Sequence, residues 1–183
     1  MSSQRAVLVE GGVGSSVVVE VFAFRTDYRG GLAYRDLTGP LWGDGSPRFP
    51  ERTGHLGSAR HPDEVARDLL GLTRHTSTHL LHSTSWRHER ADHLVLTYAC
   101  CPDPRPDLPA RPLRDRVLAH GAGPASPSPD APRTDQVAAH AVRHLAFLLH
   151  TDPTVRQVIE SVPGLAAILD TWSPAPAGQL PAE

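Results

Sequence analysis

The alternation of apolar and polar positions marks the strands first. Ser16 to Arg25 places Val17, Val19, Val21 and Ala23 on one face and Val18, Phe22 and Phe24 on the other. Glu20 is the one exception on that second face. A strand apolar on both sides suits a central position in a sheet covered on both faces. Ala6 to Glu10 predicts a shorter strand before it, joined as a hairpin through Gly11, Gly12 and Gly14. One or two short strands are expected around Leu32 to Arg35 and near Leu41. Leu80 to Arg87 and Leu94 to Cys101 flank the polar stretch His88 to His93 and predict an antiparallel hairpin.

A period near 3.6 appears in two other places. Val65, Ala66, Leu69, Leu70 and Leu72 form a stripe behind Pro62, with Asp63 and Glu64 where a helix dipole favours carboxylates. That helix is expected to end about Thr73. Asp135 to His150 predicts an amphipathic helix with Ala138, Ala141, Val142, Leu145 and Leu149 inward. Asp152 can cap a further helix with Pro153 in its first turn, and Val155, Val158 and Ile159 would pack inward. Pro163 and Gly164 interrupt it, and Leu165 to Trp172 is expected to form a last short helix. Residues 102–133 read as a Pro-rich, partly disordered loop containing a short helix from Leu113 to Ala119; 173–183 read as a tail. These elements imply one domain over 1–183, mixed α and β (α+β), with a C-terminal helical segment at 135–172.

Composition narrows the chemistry. The formal net charge is −2, which argues against general nucleic-acid binding. No apolar run is long enough for a membrane span and no secretion signal is visible at the N-terminus, so a cytoplasmic protein is expected. All 18 basic residues are arginine, which excludes mechanisms built on a lysine. The adjacent Cys100 and Cys101 point to opposite faces of a strand, so a disulfide between them would be strained.

Eleven histidines are many for this length. His75, His79 and His82 would share a face if that segment were helical, and could hold a divalent transition metal through imidazoles. The hydroxyl residues around them favour a strand, where His79 and His82 part company. His140 and His144 lie one turn apart on the long helix and offer half of a metal site. Histidines of the two segments could also meet in space. Ser83, Ser85 and Arg87 form a hydroxyl and guanidinium cluster fit for a phosphate or carboxylate, or simply for decorating a sheet.

The segment Pro62-Asp63-Glu64-Val65-Ala66-Arg67-Asp68-Leu69-Leu70, with Gly57 before it, resembles the start of a Nudix helix. The order hairpin, irregular segment, helix, hairpin, helix also resembles the Nudix fold, a mixed sheet sandwiched between helices. The Nudix hydrolase box reads G-x5-E-x7-R-E-U-x-E-E-x-G-U, with U apolar. With Gly57 first, Asp63 takes the first acidic position, but Gly71 and Leu72 replace Arg-Glu, and His75 and Thr76 replace the paired glutamates. Placing Arg67 and Asp68 as Arg-Glu instead puts Gly71 and Leu72 at the metal ligands. Magnesium needs oxygen ligands, so the resemblance implies a degenerate box without pyrophosphohydrolase chemistry. The expected function is a ligand-binding or protein-interaction domain for a small molecule or a protein. The alternatives are an enzyme with a histidine-built metal site, and a hydrolase or transferase with an unidentified nucleophile. Apolar residues of the C-terminal helices either close the core or form a homodimer.

Overall fold

A computed structural model describes residues 16–37, 61–74, 76, 78–90, 93–123, 129 and 131–175. The expected strand Ala6 to Glu10, its glycine turn and the strand near Leu41 lie outside the described residues, as do 124–128 and the tail beyond 175. Among the described residues a five-stranded sheet runs in the order β3-β4-β1-β2-β5. Its strands are β1 (Ser16–Thr26), β2 (Leu32–Asp36), β3 (Leu80–Arg90), β4 (His93–Cys101) and β5 (Arg111–Pro112). The doubly apolar β1 is central: it pairs antiparallel with β2 and parallel with β4. The expected hairpin of β3 and β4 forms, with Leu80 opposite Cys101 and Trp86 opposite Leu96. The sheet is therefore mixed, and the fold is α+β.

Helices cover both faces. On one lie α2 (Thr134–Thr151), α3 (Pro153–Glu160) and α4 (Leu165–Leu169), over Phe22, Phe24, Tyr34, Ala99 and Cys101. On the other lies α1 (Pro62–Leu70), whose Val65, Ala66 and Leu70 meet Val19, Val21 and Tyr98. The expected inward stripe of α2 is buried throughout. Val137, Ala139 and Ala146 are buried as well, because α3 and α4 pack back against α2. Val155, Ile159, Leu165 and Leu169 enter this same core, so the chain itself takes up much of the apolar surface of its last helices.

Local chemistry sets the helix ends. The side chain of His61 accepts from Asp63 N, and Pro62 opens α1. At the other end Gly71, at φ 71°, donates to Asp68 O, while Leu72 N donates to Arg67 O at 2.9 Å. This Schellman arrangement uses the left-handed freedom of glycine and stops α1 three residues before Thr73. Asp152 Oδ1 accepts from Thr154 N at 2.8 Å and Val155 N at 3.2 Å, capping α3 as its sequence implies.

The helix expected over Leu113 to Ala119 does not form. Arg111 and Pro112 pair with β2, and Leu113 N donates to Leu32 O at 2.8 Å, so the backbone enters this stretch as part of the sheet. The last helix stops at Leu169 rather than Trp172. The indole of Trp172 is buried, with the Arg116 guanidinium 4.8 Å from its centroid. Among the described residues no helix is long and apolar enough to cross a membrane.

Candidate functional site

A strip of polar side chains runs along the α2-facing side of β3, β4 and β1. Its origin is a bulge. Ser83 is opposite Tyr98, yet Ser85 is already opposite Thr97, so Thr84 is the extra residue. Tyr98 faces the α1 side, which turns Ser83 that way. Ser85 and Arg87 face the α2 side with Thr97. The bulge thus divides the expected Ser83, Ser85 and Arg87 cluster between two faces.

Arg87 forms a two-pronged ion pair with Glu20, which is 3% exposed. Its Nη2 lies 3.0 Å from Glu20 Oε2, and its Nη1 donates to Oε1. Thr97 Oγ1 donates to the same Oε1 at 2.6 Å. Glu20 is the one polar residue in the apolar faces of β1, and a buried carboxylate needs such donors. In a chain without lysine, a buried glutamate can take its ionic partner only from arginine or histidine.

At the α2 end of the strip two histidines meet. His82, opposite Ala99, extends toward α2, and its ring centroid lies 5.3 Å from that of His144, with the planes tilted by 44°. His82 Nδ1 donates to Ser83 O at 2.7 Å, since a carbonyl can only accept. The ring of Phe147 lies 6.2 Å from that of His144. Burial, then the neighbouring His82, holds the His144 imidazole below its ordinary basicity. His140 is held low too, mainly by burial; its Nε2 is 2.8 Å from Ala119 O. His79 stands just before β3 beside the hydroxyl of Thr78 at 3.0 Å, and His75 lies outside the described residues. Because β3 is a strand, His79 and His82 do not share a helical face. Among the described residues no group of three or more His, Cys, Asp or Glu side chains could hold a metal ion.

A second polar centre sits beyond the C-terminal ends of β1 and β4, where Asp103 N donates to Phe24 O at 2.7 Å. Asp103 follows β4, and its side chain is fully buried. Arg35 Nε lies 3.0 Å from both of its oxygens and Nη2 2.7 Å from Oδ1. Arg25 Nη1 reaches Oδ2 at 3.3 Å and also donates to Pro106 O at 2.8 Å, while its Nη2 donates to Leu108 O at 2.8 Å. This centre fell within the segment expected to be a loop; its signal is a proline-flanked aspartate in an arginine-rich chain.

Cys100 and Cys101 are free thiols buried on opposite faces of β4. Burial pushes Cys101 up to about 12 and Cys100 higher still, helped by Cys101 and Asp103. Neither is in the thiolate form that nucleophilic chemistry needs. On the α1 side, Tyr98 OH donates to Asp63 Oδ1 at 2.7 Å, and burial with this bond raises the phenol. Arg74 pairs with Glu64. No protein-family model, curated protein or solved structure matches the chain.

Proposed function

We propose that this chain is a Nudix-like ligand-binding or protein-interaction domain without pyrophosphohydrolase chemistry. The order of strands and helices around a two-sided sheet supports the resemblance. The observation that carries the functional half is the use made of α1. Asp63, at the first acidic position of the box, accepts the phenolic proton of Tyr98 and fastens α1 to β4. Glu64 is tied to Arg74. These carboxylates serve docking, whereas a magnesium-dependent hydrolase needs them converging on an ion.

The test is hydrolysis of nucleoside diphosphate derivatives with magnesium, followed by phosphate release. No turnover is expected. Turnover abolished by EDTA and by Asp68→Ala would overturn the reading. A second reading, a histidine-built metal site, is favoured by the approach of His82 and His144 to 5.3 Å. The third, a hydrolase or transferase with another nucleophile, gains no support from the buried thiols.

A further inference from the structure

We propose that residues 114–121 form a strap over Trp172 that opens by itself while the sheet and the helices stay folded. The way the strap is held carries the argument. Leu113 is its fixed end: the side chain is buried and the N–H donates to Leu32 O at 2.8 Å. Beyond it, among the described residues, no backbone group of 114–121 bonds to backbone elsewhere. Side chains do the fastening instead. Arg116 Nη2 donates to Thr171 Oγ1 at 2.8 Å, its Nη1 donates to Thr171 O, and the guanidinium lies 4.8 Å from the centroid of Trp172. His140 Nε2 donates to Ala119 O at 2.8 Å. Arg133 Nη2 reaches Asp115 Oδ2 at 3.3 Å.

Little apolar surface adds to these bonds. Val117 is 55% exposed and Leu118 only partly buried. The pair of Asp115 and Arg133 lies at the surface, where water screens it and an ion pair contributes little. Under the Arg116 guanidinium, Trp172 is 5% exposed and its indole Nε1 is buried with no acceptor. A buried N–H without an acceptor is a cost that the closed form carries and the open form does not, since opening brings water to it. The layer below is built differently. The helix α2 closes its own backbone bonds and buries Val137, Ala141, Val142 and Leu145, so lifting the strap does not require it to unfold. A segment with few apolar contacts and exposed fastenings, lying on a well-packed layer, belongs to the part of a fold that opens locally.

The experiment is hydrogen exchange of the Trp172 indole N–H, read by proton–nitrogen NMR of the full chain. Trp42→Phe and Trp86→Phe identify its signal by elimination, since the chain has three tryptophans. The amides of Val19 and Val21, buried in β1, report global unfolding in the same sample. Relative to intrinsic rates, the indole is expected to exchange at least about 100-fold faster than these amides and with almost no dependence on low urea. Arg116→Ala should speed it about tenfold, because two hydrogen bonds and the cation–π contact are lost. Thr171→Val removes the hydroxyl that accepts from Arg116 and should speed it about threefold. Thermal melts verify folding, and if Arg116→Ala is not folded, Thr171→Val decides alone. Indole exchange that matches the β1 amides in rate and urea dependence overturns the proposal. So does exchange as fast as that of the exposed Trp86, or a rate unchanged in a folded variant.

Discussion

Asp103 and Glu20 are both buried carboxylates held by arginine, but they organise different things. Asp103 gathers Arg35 and Arg25 from β2 and β1, and Arg25 in turn holds the carbonyls of Pro106 and Leu108. It therefore fixes backbone beyond the sheet. Among the described residues Glu20 gathers side chains, Arg87 from β3 and Thr97 from β4. A buried ion pair is a poor source of net stability, because desolvation offsets much of the attraction, yet breaking one strands a charge. The difference lies in what else falls when the pair is broken.

The largest effect is expected at Asp103. Asp103→Ala leaves two guanidiniums facing each other around an empty place and should cost about 3–5 kcal/mol in urea unfolding. Arg87→Ala should cost less, about 2–4 kcal/mol, by leaving Glu20 buried without its ionic partner. The comparison sharpens with a double replacement. Glu20→Leu with Arg87→Met should recover most of that loss, since Glu20 accepts from the side chains of Arg87 and Thr97 and both ionic partners are removed together. Asp103→Leu with Arg35→Met should not recover, because Arg25 then loses its anchor. Equal recovery at both centres would erase the distinction.

A smaller effect separates the α1 side from either ion pair. Tyr98→Phe removes the bond to a half-exposed Asp63 and should cost about 1 kcal/mol. The smallest is a pH effect at His140. Burial lowers its folded-state pKa from 6.5, so the unfolded chain takes up a proton first as pH falls. The neutral form contributes stability above pH 6.5, and this is lost on acidification below that value. His140→Gln should therefore lose less stability than the wild type between pH 7 and pH 5, measured by urea titration at each pH.

Much of the fold was legible because its signals are local. The twofold apolar character of β1 announced a central strand, and the stripe of α2 and the Asp152 cap fixed their helices. Registers across the sheet were not local. The bulge at Thr84 depends on how β3 fits β4, and it alone decided that Ser85 and Arg87 part from Ser83. The stretch 113–119 has helical spacing in isolation, but pairing of Arg111 and Pro112 with β2 overrode it. The histidine meeting was visible only as a possibility, since His82 and His144 lie far apart in the chain. Asp103 was missed because proline content suggested a loop without a core, whereas its charge is what gives that loop one.

The parallel seam between β1 and β4 also bears on the order of assembly. β1–β2 and β3–β4 are each antiparallel and close in sequence, so each can form early from local contacts. The seam pairs Val18 with Val95 and Ala23 with Cys100, and it must close a long intervening chain before any of its bonds are gained. Such non-local pairing sets folding on a scale of milliseconds to seconds, about that of mixed and β-rich domains. The rate-limiting step expected for this chain is therefore the docking of two preformed halves, and lengthening the connection between β2 and β3 should slow folding only weakly, because closure entropy grows with the logarithm of length.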